Sequence, residues 1–382
     1  MSIMNQAPAP AARDRRGGYR RGIGDVMVLE LRQRLRSRGW YIMVAIWFFI
    51  IGLVTLLTWS SWNAARISSE SFSGPVASAG SMIFEIVVAF VLLFGLLVAP
   101  ALSANAVNGD RAGGTLAILQ VTLLTPGQIL WGKFFAAWVA ALAFLVTSVP
   151  FLLVGVVLGG MTAGHIVVAL LMLAVELGVV CGIGVGISAL ANRPLFSIVI
   201  SYLTIAALVV GTLISFGLGL SVTRGTVMAN EPHYIPSGPY SGNSGQGSGD
   251  SQYGPQYVCQ GPLAEQPTAR TERVAWLLSL NPYVVVADAI PYPSRGGAQP
   301  GMSVSAGMLE GISQGARAAL AGPEGTFPCA NGKVQPRYLE QTTPMWPLGL
   351  ALQFLLAGGL MWLGWRALRT PARRLAQGTR IA

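Results

Sequence analysis

Six long runs of apolar residues, separated by short polar stretches, dominate the pattern of this chain, at about 40–59, 82–102, 130–158, 165–190, 195–220 and 345–365. A helix needs about 20 residues to cross the ~30 Å hydrocarbon core, where unpaired backbone groups find no water. Each run is long enough to be such a span. The first is too long for a signal peptide and lacks a small-residue cleavage site after it, so it reads as a retained anchor. Ahead of it, Ile23, Met27, Leu31 and Leu35 recur at i+4 among Arg32, Arg34, Arg36 and Arg38. That spacing predicts an amphipathic helix lying at the interface.

The polar stretches set the expected orientation. Residues 1–39 hold nine Arg, and the segments on that side of the six spans hold 17 basic against four acidic residues. The long segment 221–344 holds seven basic and eight acidic residues. Basic residues mark the cytoplasmic side, so both termini are expected there, on a multi-pass protein of a bacterial-type cytoplasmic membrane. The organisation expected is a basic N-terminus (1–39), five spans (40–220), an extracytoplasmic loop (221–344), a sixth span (345–366) and a basic tail (367–382). The fold class is an all-α polytopic membrane protein. Composition agrees: 53% of the residues are hydrophobic, 10% are charged and the mean hydropathy is +0.57, whereas soluble domains are about 25% charged. The net charge of +10 is explained by topology and lipid headgroups rather than by nucleic acid.

Within the outer loop, residues 237–254 are nearly all Ser, Gly, Tyr, Asn and Gln, a composition that cannot bury a core. Cys259 and Cys329 fall on the oxidising side, so a disulfide between them is expected, with two free thiols as the alternative. Cys181 lies within the fourth run and reads as a packing residue.

Four motifs carry chemistry or packing. The turn after the second run reads Asn108-Gly-Asp110-Arg111-Ala-Gly-Gly114-Thr115-Leu116-Ala-Ile-Leu119-Gln-Val-Thr-Leu123-Leu-Thr125-Pro126. A charged, glycine-rich start opens a short apolar helix, which Thr125-Pro126 is expected to stop. It is too short to span and too apolar to stand free, so it should lie on the membrane or in a partner's groove. Residues 127–133 imitate the start of a P-loop, but Phe134 stands where Ser or Thr would hold Mg²⁺ and no strand precedes it. No nucleotide site or enzyme activity is therefore expected in this chain. Gly178, Gly182 and Gly186, at i, i+4 and i+8, make a smooth helix face for close packing. Two carboxylates lie within runs. Glu85 sits near the outer end of its run, from where it can snorkel towards headgroups, and it is a candidate for the substrate path together with Glu176. Glu176 lies about 16 Å beyond His165. It is either a polar point on a substrate path or subunit interface, or a protonated or hydrogen-bonded structural glutamate. Two distant histidines, His165 and His233, offer no metal site.

The order Gly-Thr-Leu, Leu-Leu-Thr-Pro, Gly-Lys resembles the signature of ABC-2 type transporter permeases. The basic amphipathic helix resembles that family's connecting helix, and Asn281-Pro282-Tyr283 its "NP" segment before the last span. One departure is Ala112, where many members carry an acidic residue. The resemblance implies that 109–126 is a coupling helix seated in an ATPase groove, through Asp110, Arg111, Gly114, Thr115, Leu116, Leu119, Leu123, Thr125 and Pro126. It implies an exporter dimerised with a second copy or a sister permease and bound to two ATPase subunits that hold ATP and Mg²⁺. The alternatives are a proton-coupled carrier using Glu176, for which inverted repeats would be expected, and a membrane anchor whose outer loop binds a partner.

Overall fold

The computed structural model describes residues 15–69, 78–113, 124–159, 161–234, 257–292, 307–334 and 341–369. In chain order the helices are α1 (Arg15–Leu35), α2 (Arg38–Ser69), α3 (Ala79–Ser103), α4 (Ala106–Ala112), α5 (Pro126–Val157), α6 (Ala163–Leu190) and α7 (Pro194–Val222). Strands β1 (Arg224–Tyr234) and β2 (Tyr257–Ala269) follow. Then come α8 (Ala275–Ser279), α9 (Pro282–Ala289), α10 (Met308–Thr326) and α11 (Trp346–Leu368). Among the described residues, six helices are long and apolar enough to cross a membrane: α2, α3 (which α4 continues), α5, α6, α7 and α11. This is a multi-pass membrane protein. The Ser- and Gly-rich stretch 237–254 and the segment 114–123 lie outside the described residues.

The spans α3 and α6 form the centre, with more than half of their apolar windows buried, while α2 and α7 are less than a third buried and face outward. Trp47 of α2 anchors the core between them. Its ring stacks on Phe94 at 3.8 Å, and its indole N–H donates to Phe144 O and Ser148 Oγ, both at 3.1 Å. A buried Trp is stable only when that N–H is satisfied.

Among the described residues, the departure from an all-helical chain is the antiparallel pair β1–β2, in register from Arg224↔Ala269 to Tyr234↔Tyr257 with an irregularity between Ala229 and Glu231. A disulfide joins Cys259 of β2 to Cys329 beyond α10, and Ala330 bridges Ala229. The covalent link and the strand edge together hold residues 327–332 against the hairpin.

Not all of 221–344 stands outside the bundle. Segment α8–α9 packs back against α6, α7 and α11. Tyr283 donates its hydroxyl to Ala89 O (3.3 Å), ten residues into α3, about 15 Å from that helix's start. Irregular backbone at such depth is tolerated only when protein satisfies it. Asn281 does so: its Oδ1 accepts from Tyr283 N (2.9 Å), capping α9 ahead of Pro282. Its Nδ2 donates to Val209 O (2.8 Å) and Thr212 Oγ1 (3.1 Å), at a π turn spanning Ala207–Gly211. A π turn breaks the regular helical ladder, and Asn281 takes up the carbonyl exposed there.

Candidate functional site

A buried ionic joint lies at the end of the bundle where α1, α4 and the start of α5 meet, here called the base. Thr125 is the N-cap of α5. Gln128 N donates to Thr125 Oγ1 (3.4 Å), and Thr125 N donates to Gln128 Oε1 (2.7 Å), a reciprocal capping box with Pro126 in the first turn. Thr125-Pro126 thus starts α5. Gln128 Nε2 also donates to Tyr19 O (3.1 Å), fastening α1 to α5. A side chain at Gly132 would meet Val26 of α1 at 2.7 Å. Gly132 therefore lets the two helices touch.

That contact uses a different row of α1 from its apolar one. The buried positions are Gly22 and Val26, with Glu30 next in the i+4 row, while Leu35 is exposed and Ile23, Met27 and Leu31 are half-buried. The apolar stripe is offset by one residue because a glycine gives the closer fit to α5.

Lys133, one residue beyond Gly132, is only 2% exposed, and its ammonium pairs with Glu30 of α1 and with Asp110 Oδ2 of α4 at 2.6 Å. One cation thus ties three elements together. Beside it, Arg34 donates to Leu102 O (2.8 Å) at the end of α3. Burial, the dominant influence, lowers the Arg34 pKa, and Glu30 partly offsets it. Arg111 donates to Ala191 O (2.8 Å) and Ala189 O (3.5 Å), the carbonyls that end α6, where a cation meets the negative end of the helix dipole. Ser188 Oγ of α6 accepts from Val107 N (3.1 Å) and Asn108 N (3.2 Å), satisfying the start of α4.

Of the nine residues expected to couple to a partner, Gly114, Thr115, Leu116, Leu119 and Leu123 lie outside the described residues. Asp110 and Arg111 are engaged within the chain, with Lys133 and with the carbonyls that end α6. Lys133 and Glu30 were not foreseen as site residues. The available signal was a lone Lys in the second turn of an apolar span and a lone Glu in an arginine-rich helix.

Glu85 does not snorkel. It is buried, and its Oε2 accepts from Leu309 N (3.0 Å) in the first turn of α10. A helix N-terminus with free N–H groups satisfies the carboxylate better than a distant headgroup. Gly307 leaves the room, because a Cβ there would lie 2.0 Å from the carboxylate oxygens.

Glu176 is fully buried and faces protein. Neither carboxylate oxygen has a hydrogen-bond partner among the described residues; the Gln353 side chain faces it without completing one. Gln353 Nε2 donates instead to Leu280 O (3.2 Å). The glycine face of α6 meets two neighbours: Gly178 lies against Trp138 of α5, Gly182 against Ala357 of α11. Gly186 makes the closest approach, as a Cβ there would meet Leu360 backbone at 2.8 Å. Cys181 is buried with a free thiol.

At the opposite end of the bundle Asp288 is a second buried charge not foreseen. Its Oδ1 accepts from Ser313 Oγ (2.9 Å) and Arg317 Nε (2.5 Å), its Oδ2 from Met345 N (2.5 Å) and Trp346 N (2.9 Å). Asp288 thereby caps α11 from another element. No protein-family model matches this chain, and no curated protein matches it.

Proposed function

We propose that this chain is the membrane subunit of an ATP-driven exporter of the ABC-2 type, inserted in the cytoplasmic membrane with both termini and the base of the bundle inside. In this reading the coupling segment 109–126 receives the push of a separate ATPase. It works in a pair with a second copy or a sister permease, over two ATPase subunits that hold ATP and Mg²⁺. The observation that carries the reading is the Lys133 joint. It ties the basic interfacial helix and Asp110, at the entry to the apolar turn, to the start of a membrane span. A force on that turn therefore has a short, buried ionic route into α5 and α1. The excess of basic residues at this end supports the orientation.

Leu116, Leu119 and Leu123 recur in the sequence at spacings of three and four, those of one helix face, so Leu116→Asp with Leu123→Asp should abolish copurification with an ABC ATPase encoded beside the gene while leaving the chain inserted. Full association of the double variant, or no ATPase to associate with, would overturn the reading.

The unpartnered carboxylate of Glu176 favours a second reading, a proton-coupled carrier. Glu176→Gln keeps the shape and removes the titratable proton. Uptake of a copurified ligand into inside-out vesicles, driven by a pH gradient without ATP and lost in this variant, would select the second reading over the first.

A further inference from the structure

A cavity of 660 Å³ opens between α5, α6 and α11 on the outside of the bundle. Its size falls in the range of sites that enclose a small ligand. We infer that it is a binding site for one anionic phospholipid, with an acyl chain in the trough and the phosphate at the arginines of its mouth. The inference holds whether or not the chain couples to an ATPase.

Gly178, Gly182 and Gly358 line the trough. No atom lies within 4 Å of where a Cβ of Gly358 would sit, so that position is open space. The walls are large and apolar. Trp138 donates its indole N–H to Ala174 O (2.8 Å) and so turns only carbon towards the trough. From Gly127 at the base to Trp138 the trough runs about 16 Å along α5, roughly half the hydrocarbon thickness. That is the reach of one acyl chain within its own leaflet. A helix from another copy would run on past this depth, and helix interfaces use small residues on both partners rather than walls of tryptophan.

The mouth has the opposite chemistry. A Cβ at Gly127 would meet Tyr19 Oη at 2.6 Å and Trp365 Nε1 at 3.5 Å, so the polar tips of both lining residues converge there. Arg369 stacks 3.4 Å over Trp365 and Arg366 lies 4.8 Å over Trp362. Each of these tryptophans lines the trough. The same two rings therefore present an apolar edge to the chain and hold a guanidinium at the rim. Two exposed arginines above an apolar slot match a negative phosphate joined to a hydrocarbon tail, since each basic group near the surface favours anionic lipid.

Native mass spectrometry of the full chain, purified in detergent and titrated with phosphatidylglycerol or phosphatidylcholine, tests this. The wild type should retain one phosphatidylglycerol per chain, with roughly tenfold or greater preference over phosphatidylcholine. Gly358→Leu fills the trough and should lower retention of both lipids roughly tenfold. Gly217→Leu, also with no neighbour within 4 Å but away from the trough, should leave retention unchanged. Arg366→Gln with Arg369→Gln changes only exposed side chains and should erase the headgroup preference while phosphatidylcholine retention stays. Equal retention of the two lipids by wild type would overturn the site, as would undiminished retention in Gly358→Leu. Crosslinking between copies through Gly358→Cys would assign the trough to a second chain and overturn it equally.

Discussion

The two ends of the bundle bury charge in opposite ways. At the far end one carboxylate, Asp288, is fully enclosed and saturated by four donors from α10 and α11. At the base one ammonium, Lys133, is enclosed and shared between two carboxylates that stay 16% and 26% exposed. An anion held by four fixed donors has one arrangement. A cation shared by two carboxylates that water can reach can loosen from either. The far end is therefore built as an anchor and the base as a joint.

The largest effect should follow from breaking the anchor. Asp288→Ala leaves Arg317 and two N–H groups of α11 without their acceptor, costing about 3–5 kcal/mol of stability. Asp288→Asn, which keeps an acceptor, should lose less. Thermal unfolding in detergent measures both, and a loss below about 1 kcal/mol for the alanine variant would remove the anchor from this comparison.

Opening the Cys259–Cys329 loop, 70 residues in separation, comes next, with about 4 kcal/mol as the ceiling. The loss should be confined to β1, β2 and the segment after α10. Hydrogen exchange after Cys259→Ser with Cys329→Ser should show it there and leave α5 and α6 protected.

Breaking the joint should cost less than breaking the anchor. Lys133→Met removes the shared cation from Glu30 and Asp110, carboxylates that water can reach, so about 2–3 kcal/mol is expected in the same unfolding assay. A cost equal to that of Asp288→Ala would erase the distinction between the ends. The smallest effect belongs to Glu85→Gln. Its amide oxygen can still accept from Leu309 N, so only about 1 kcal/mol should be lost.

These elements divide by how visible they were in the sequence. The spans were legible because crossing a membrane needs long apolar runs, and hydropathy reports that directly. The helix α1 was legible, but its contact face was not, since Gly22 and Gly132 make that contact and carry no hydrophobic signal. Lys133 counted in the sequence as one more basic residue beside a span, because burial of a charge depends on Glu30 and Asp110, remote in sequence. The Asn281-Pro282 start of α9 was legible as a motif. Its entry into the bundle depends on a π turn in α7, which no composition announces. For Glu85, the sequence offered depth within its run, whereas the partner that settles its position arrives from α10, more than 200 residues later.

The account turns on the joint as the part that carries force, and one measurement addresses that most directly. ATP hydrolysis by the proposed partner ATPase, reconstituted with wild type, Lys133→Met or Asp288→Asn at a temperature where all three are folded, separates the ends. The account predicts that Lys133→Met still binds the ATPase yet loses most of its stimulation, while Asp288→Asn stimulates as wild type does. Equal stimulation by wild type and Lys133→Met would contradict it.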